Sequence, residues 1–273
     1  MPAINPTNAL FQREGFRTGP YTRFRDRYEL AEYFLQRPGI LADFTMTSAL
    51  NVAEFLAVFS ANRDWQISGA GDAATADQVL SVDGGVDLVT NATDNDQVIL
   101  SPRNVLTSSV PSTAWGRVTW EPQHESRFQC IIELPVITDI LVHFGLSSFN
   151  AQTGAPVMNL TTEADAAKIQ FSTEGAVSTT KFTAAESVAG SDTETVLNTT
   201  DVVEATRTYN LEVRYSSTGF ARFYVDGVKK HTAASAHTAA AALFPFVAVQ
   251  QLSSSARTLT VRQIRCSRVW QDG

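Results

Sequence analysis

The side chains that most often bind zinc are few in this sequence and widely spaced. There are two cysteines and four histidines, namely His124, His143, His231 and His237. No H-x-H, H-E-x-x-H or C-x-x-C motif is present, and zinc sites usually draw on such closely spaced ligands. His143 lies in the alternating segment 141–144, where a solvent-facing or hydrogen-bonded histidine is the simpler interpretation.

Paired carboxylates could hydrolyse a glycosidic bond if they projected from one face of a strand. That geometry requires i, i+2 or i, i+4 spacing, because successive strand side chains point to opposite faces. The candidate pairs are Glu121 with Glu125, Asp94 with Asp96, Glu163 with Asp165, and Asp192 with Glu194. We expect the last three pairs to lie in loops, and Pro122 separates the first. No E-x-D-x-E segment, G-x-S-x-G elbow, phosphate loop or dinucleotide fingerprint occurs, so we predict neither an enzyme nor a cofactor.

Two further kinds of ligand site depend on clustered oxygens or on exposed aromatic rings. Asp94, Asn95 and Asp96 could offer calcium ligands, but a turn explains these residues better, so no metal is predicted. The four tryptophans could form a platform for stacking sugars; they are Trp65, Trp115, Trp120 and Trp270. We expect Trp120 and Trp270 to pack in the core, and we select Trp115 as the glycan-stacking candidate.

The charge distribution divides the chain into a basic start and an acidic body. The net charge is −7 over 273 residues, which argues against nucleic acid as a partner. Residues 1–40 contain six arginines and four acidic residues, a net charge of +2. No apolar run is long enough to span a membrane, so no membrane partner is expected. A basic arm on an acidic body suits docking onto an acidic neighbour, including another copy of the chain.

The first residues do not resemble a secretory signal, because Arg13 and Arg17 flank no apolar segment. We therefore expect synthesis in the cytoplasm, where thiols stay reduced. Cys130 and Cys266 both lie in strand-like runs and are interpreted as buried core thiols. The sequence leaves a disulfide between them open, since it contains no information on their separation.

Residues 1–45 are predicted to form an N-terminal arm with a short helix. Residues 1–20 lack periodicity and contain Pro and Gly, which favours an extended chain. Tyr28, Ala31, Phe34 and Leu35 recur at helical spacing before Pro38 and Gly39 end the run. Residues 47–61 fit either a helix or a strand.

Residues 46–273 are predicted to form one β-sandwich domain. From Trp65 onward the hydrophobic residues alternate with period two, as they do in residues 209–215 and 221–225. Asp226-Gly227 indicates a tight hairpin turn, and a single slip of parity in residues 259–266 indicates a β-bulge. Residues 150–166 and 183–200 are rich in Thr, Ala and Ser and are predicted to be surface loops. About a dozen strands with such turns imply two packed antiparallel sheets.

The hairpin segment carries a resemblance to a known fold family. Residues 208–214 (TYNLEVR) and 219–227 (GFARFYVDG) resemble the Y-x-L-x-V and Y-V-D-G hairpin of concanavalin A-like, laminin G-like jelly rolls. Residues 259–270 are similar to their last strand, and the resemblance covers about residues 63–270. It implies an all-β, antiparallel two-sheet jelly-roll sandwich, a fold that serves lectins, glycosidases, adhesion modules and viral coat parts.

Within this family the chain resembles virion proteins of tailed phages, in particular capsid decoration (cement) and fibre proteins. The resemblance implies a homo-oligomeric structural protein on the capsid surface, made in the host cytoplasm and bound to the major capsid protein or another virion protein. The predicted arm contacts are Phe11, Arg13, Phe16, Arg17, Tyr21, Arg23 and Arg25. The alternative is a carbohydrate-binding jelly-roll module of a fibre or surface protein, and a glycoside hydrolase is a third hypothesis.

Overall fold

The computed structural model describes residues 27–34, 38–40, 62–70, 79–81, 84–92, 95–102, 118–148, 164–174, 178–197 and 202–269. These residues form strands and a single turn of 3-10 helix, Pro122–His124. The strands are β1 (Arg27–Glu32), β2 (Pro38–Ile40), β3 (Asn62–Ala70), β4 (Val79–Leu80), β5 (Val86–Val89), β6 (Gln97–Pro102), β7 (Arg127–Glu133), β8 (Ile140–Ser147), β9 (Asp165–Ser172), β10 (Thr183–Val188), β11 (Ser191–Val196), β12 (Thr208–Tyr215), β13 (Phe220–Val225), β14 (Val228–Ala236), β15 (Phe244–Gln251) and β16 (Thr258–Val269). No described helix is long and apolar enough to cross a membrane.

The strands form two eight-stranded sheets packed face to face. Sheet A has the order β14-β13-β12-β7-β16-β5-β4, and β1 also pairs with β16. Sheet B has the order β11-β10-β9-β8-β15-β6-β3-β2. Every pairing is antiparallel except that of β2 with β3. The predicted all-β, two-sheet sandwich is therefore confirmed.

Period-two alternation places apolar side chains between the sheets. In β7, Phe128, Cys130 and Ile132 are buried while the residues between them are partly exposed. Burying a side chain of this size contributes roughly 1.5–3 kcal/mol. Cys130 and Cys266 are free and buried, which confirms the prediction of core thiols, and burial raises the pKa of both thiols well above its ordinary value.

The central hairpin and the last strand also form as predicted. Leu211 pairs with Val225, and the connecting Asp226 and Gly227 both have positive φ, at 51° and 78°. Those angles suit the primed turn whose twist matches that of the flanking strands. In β16 the register with β7 shifts between Val261 and Gln263, which is the bulge that the parity slip predicted.

The predicted helix near residue 30 is wrong, because Arg27–Glu32 is the strand β1. It pairs with β16 from Arg27 opposite Val269 to Glu32 opposite Ile264. Tertiary pairing overrides a weak helical pattern, since β1 satisfies backbone groups along one edge of β16. β1 belongs to sheet A and β2 belongs to sheet B. This part of the predicted arm therefore lies within the sandwich. Residues 1–26 and 47–61 lie outside the described residues, and the predictions for them are untested.

The predicted loop at 183–200 contains strands β10 and β11, and the one at 150–166 overlaps the first two residues of β9. β9 begins at Asp165, and residues 183–196 form a hairpin whose turn contains Ala189 and Gly190 at positive φ. Small residues such as Ala184, Ala185 and Ser187 conceal the strand character, because they give no contrast between faces. All eight side chains of β9 are buried, so at β9 sheet B is buried on its outer face as well as on the core side.

Candidate functional site

A row of side chains crosses the outer face of sheet B in register. Directly paired residues of an antiparallel sheet point to the same face, so the register identifies which side chains are neighbours. Thr183, Gln170 and His143 form the centre of the row, on β10, β9 and β8. Ala248 and Ile99 continue it across β15 and β6. These five residues are at most 4% exposed, although they face away from the inter-sheet core.

Several polar atoms on this face have no hydrogen-bond partner within the described part of the chain. They are His143 Nδ1, Thr183 Oγ1, Ser101 Oγ and Gln97 Oε1. Leaving a buried polar atom unpaired costs about 1–3 kcal/mol. Such atoms in a native protein are therefore usually satisfied by water or a ligand. Here they lie on β10, β8 and β6 of one face, with β9 and β15 between these strands.

Lys168 lies beside this row and above an aromatic ring. It is fully buried on β9 and pairs with Gly145 of β8, which in turn pairs with Phe246 of β15. Because Gly145 has no side chain, Lys168 Nζ reaches to 5.4 Å from the centroid of the Phe246 ring. An added Cβ at Gly145 would lie 2.2 Å from the carbonyl oxygen of Ala167. Glycine is thus required where the two strands approach.

The pKa of His143 lies well below its ordinary value. Burial is the main cause, and the positive charge of Lys168 is the second. The imidazole is therefore neutral at physiological pH, with one nitrogen able to donate and the other able to accept a hydrogen bond. Of the two interpretations that the sequence offered, a solvent-facing His143 is wrong, because the residue is 1% exposed. Its Nδ1 has no hydrogen-bond partner among the described residues.

The outer face of β9 carries no carboxylate. Ala166, Lys168 and Gln170 occupy the i, i+2 and i+4 positions, which is the spacing that a pair of catalytic acids on one strand would need. Asp192 and Glu194 do share the outer face at i, i+2 on β11, contrary to the prediction of a loop. Both are exposed on the edge strand, and Glu194 is two strands, or about 10 Å, from Lys168.

A second group of titratable residues lies between the sheets at one end of the sandwich. Asp165 and Glu186 from sheet B meet His231, His237 and Tyr215 from the sheet A side. Tyr215 packs edge-on against His237 with ring centroids 5.1 Å apart. Within the described residues, no three His, Cys, Asp or Glu side chains are arranged to hold a metal ion. We interpret this cluster as part of the core.

The other residues singled out from the sequence have separate positions. Trp120 is fully buried in the core, as predicted, and Trp65 is also fully buried and so does not offer a stacking surface. Glu121 precedes the 3-10 turn and Glu125 follows it. Asp96 is buried, and its Oδ2 accepts a hydrogen bond from Asn91 N at 2.7 Å. The remaining candidates lie outside the described residues: Phe11, Arg13, Phe16, Arg17, Tyr21, Arg23, Arg25, Asp94, Trp115, Glu163 and Trp270.

Sequence reasoning missed Lys168, Gln170 and Thr183 as candidate site residues. A signal was present in residues 166–171, where Ala166, Lys168 and Gln170 alternate with the apolar Ala167, Ile169 and Phe171. A predicted loop over the preceding residues hid this alternation. The position of Thr183 opposite Gln170 could be known only from the strand register.

Comparison with known proteins identifies the fold. No protein-family model and no curated protein matches the sequence. Among solved structures, Bacillus licheniformis β-glucanase superposes with a TM-score of 0.54 and 12% identity over 89% of this chain and 98% of that one. The carbohydrate recognition domain of Emp47p superposes with a TM-score of 0.53 and 8% identity over 77% and 90%.

The chain has the concanavalin A-like jelly-roll fold. A glycoside hydrolase family 16 endo-glucanase from Bacteroides ovatus also superposes, with a TM-score of 0.51 and 10% identity over 74% of this chain and 94% of that one. At these identities the jelly-roll likeness establishes the fold alone. The fold that the Y-V-D-G hairpin predicted is therefore confirmed.

Proposed function

We propose that this jelly roll is a carbohydrate-binding module that holds a saccharide on the outer face of sheet B. The observation that carries the proposal is a set of four buried polar atoms on this face that have no partner in the described part of the chain, contributed by His143, Thr183, Ser101 and Gln97. Sugars offer many hydroxyl groups, each able to donate and accept hydrogen bonds to such atoms. Phe246 lies on the same face, with Lys168 Nζ 5.4 Å from its ring centroid. Its ring is buried, so a sugar can stack on it only after this face opens.

The structural neighbours support a saccharide as the ligand class. They include carbohydrate recognition domains and glucanases that act on mixed-linkage β-glucan. Because the row is buried in the unliganded chain, binding requires a local rearrangement that exposes it. The apparent affinity then equals the affinity of the open form multiplied by the fraction of chains that are open.

We propose binding without hydrolysis. On β9, the positions with the spacing of a catalytic pair are Ala166, Lys168 and Gln170. Asp192 and Glu194 are exposed on an edge strand and do not face each other across a groove. Incubation with mixed-linkage β-glucan and other neutral polysaccharides should release no reducing ends. Release that stops in Asp192→Asn or Glu194→Gln would instead make the chain a hydrolase.

The binding test is a neutral-glycan array followed by calorimetry with the strongest binder. Thr183→Val removes only a hydroxyl group that lacks a partner within the described chain, so the variant should fold with unchanged or slightly higher stability. Its affinity should fall about tenfold, which corresponds to the loss of one hydrogen bond. Thr232→Val, on the exposed face of β14 in sheet A, is the matched control and should bind like the parent chain.

Two results would reject the proposal. One is an array on which no neutral glycan binds the folded chain. The other is an equal loss of affinity in Thr183→Val and Thr232→Val, which would show that the saccharide does not bind specifically at the outer face of sheet B. Trp115→Ala tests the stacking role predicted from the sequence in the same assay.

A role in a phage virion is a second candidate, supported by the charge of the first residues. Residues 1–40 have a net charge of +2 on a chain whose net charge is −7. Deleting residues 1–25 should abolish co-sedimentation with capsid shells and leave the sandwich folded. If the truncated chain still pellets with shells, the seven predicted arm contacts do not hold it there.

A further inference from the structure

A polar groove of about 230 Å³ runs across the outer face of sheet A. Strands β1, β7, β12 and β16 line it, and they contribute four arginines, namely Arg27, Arg127, Arg214 and Arg265. The acidic residues in its lining are Glu29 and Glu212. The groove therefore has an excess of positive charge, on a chain that is acidic as a whole.

The lining glutamates are each committed to one arginine. Glu29 Oε1 lies 2.7 Å from Arg265 Nε, and Glu212 holds the Arg214 guanidinium through two contacts, one of them 2.6 Å between Oε2 and Nη2. Arg27 lies 3.9 Å from Glu125 and donates to its backbone oxygen. Arg127 has no such partner in the described part of the chain.

The strand register places Arg127 against another positive charge. Arg127 on β7 lies directly opposite Arg214 on β12, and on its other side it faces Ser267 of β16. Like charges directly opposite each other on a sheet are destabilising. Burial of Arg127 is intermediate, so solvent screens the repulsion incompletely. An unpaired arginine in this position costs stability unless a negative ligand lies between the two guanidinium groups.

The rest of the groove is suited to a saccharide that carries such a charge. Arg214 is held rigidly, since its guanidinium stacks 4.2 Å above the Tyr224 ring and is paired with Glu212. Gln129 Nε2 donates to Asn210 Oδ1 at 2.9 Å, so two amide groups lie beside the arginines. Guanidinium groups bind carboxylate and sulfate oxygens in a fork, and amides bind hydroxyls.

We infer that this groove is a second binding site, which holds the carboxylate or sulfate of an acidic saccharide between Arg127 and Arg214. It lies on the opposite side of the sandwich from the sheet B row and needs none of its residues. The inference goes beyond the proposed function, because a chain that binds no neutral glycan could still bind an acidic one here.

The experiment is calorimetry of the full chain with three oligosaccharides of equal length: uronate-containing, sulfated and neutral. At low salt one acidic saccharide should bind at least tenfold more tightly than the neutral one, and raising the salt should weaken it. Comparing the uronate with the sulfated saccharide identifies the oxyanion. Arg127→Gln should lower the affinity at least tenfold.

Arg222→Gln is the matched control, because Arg222 lies opposite Arg214 on β13 but is exposed and outside the groove lining. It should change the affinity less than twofold. Unliganded Arg127→Gln should unfold at the same temperature as the parent or higher, since a repulsion is removed, which excludes misfolding as the cause of lost binding.

Three results would overturn the inference. The first is equal binding of neutral and acidic saccharides, and the second is equal loss of affinity in Arg127→Gln and Arg222→Gln. The third is binding of an aspartate-rich peptide by a chain that ignores both acidic saccharides, which would make the ligand a protein. If the neutral-glycan test of sheet B fails, these three tests of the sheet A groove can still be carried out and interpreted.

Discussion

His231 Nε2 on β14 lies 3.1 Å from Glu186 Oε1 on β10, and this contact joins the two sheets at one end of the sandwich. Glu186 is 4% exposed. Burial raises the pKa of its carboxyl group from 4.5 to about 7 and lowers the pKa of His231 below its ordinary value. Near neutral pH this is therefore a contact between a largely uncharged imidazole and a carboxyl group that is partly protonated.

Glu186→Gln should stabilise the protein at alkaline pH. The folded-state pKa is raised, so the stability that comes from the protonated carboxyl group is complete below pH 4.5 and is lost as the pH rises through 7. Glutamine resembles the protonated form at every pH. In urea unfolding, the free-energy gain of the variant should be zero below pH 4.5 and approach about 3 kcal/mol at most above pH 7.

The control for this measurement is Glu194→Gln, which changes an exposed carboxylate on the edge strand β11. Its effect on unfolding should be small at every pH. A gain in Glu186→Gln that does not depend on pH would show that the carboxyl group does not titrate as its burial implies.

His237 should have the opposite effect on the pH dependence of stability, because its contribution is lost as the pH falls. Burial lowers its pKa from 6.5 to about 4, partly offset by Asp165, whose Oδ1 lies 3.7 Å from its Nδ1. A histidine kept neutral in the folded state contributes stability that is complete above pH 6.5 and is lost as the pH falls towards 4. His237→Phe keeps the ring against Tyr215 but does not titrate. Its stability relative to the parent should rise by about 3 kcal/mol between pH 7 and pH 4.

Calorimetric or urea unfolding at half-unit pH intervals checks the His237 prediction. Neither ring nitrogen has a hydrogen-bond partner in the described structure, so phenylalanine should break no bond at neutral pH. A difference between variant and parent that stays constant from pH 7 to pH 4 would contradict the lowered pKa.

Gly145→Ala should strongly destabilise sheet B. The new Cβ would lie 2.2 Å from the Ala167 carbonyl oxygen and 2.8 Å from Lys168 Cα, and these backbone atoms cannot move without separating β8 from β9. We expect a loss of about 3 kcal/mol or more in the free energy of unfolding. Gly190→Ala is the control, with nothing within 4 Å, and should cost only the ~1–2 kcal/mol of a left-handed residue.

Lys168→Met should raise the pKa of His143. Two causes lower that pKa, burial first and the charge of Lys168 second, and the substitution removes only the second. The His143 pKa, followed by NMR titration of its imidazole, should rise but remain below 6.5. Lys229→Met, on an exposed position of β14 in the other sheet, should leave it unchanged. An unchanged value in Lys168→Met would mean that burial alone is responsible.

Much of sheet A was predictable because its strands present one face to the core and the other to solvent. The alternation of Tyr209, Leu211 and Val213 with polar residues marks β12, and Asp226-Gly227 marks the turn after β13. The same reasoning failed for β9 and β10, whose side chains are buried on both faces. In β10 the small residues Ala184, Ala185 and Ser187 give little contrast between the two faces, so the segment resembled a loop. In β9 the alternation was present but short, and it directly followed a predicted loop.

The sequence by itself determined the sandwich, the central hairpin, the bulge in β16 and the core thiols, because each depends on local alternation or on turn chemistry. Only the tertiary structure decided that Arg27–Glu32 is a strand, since its partner β16 lies more than 200 residues away. Only the tertiary structure aligned Thr183, Gln170 and His143 on one face of sheet B and Arg127 opposite Arg214 on sheet A. These neighbours are set by strand register, which depends on long-range pairing rather than on any local pattern.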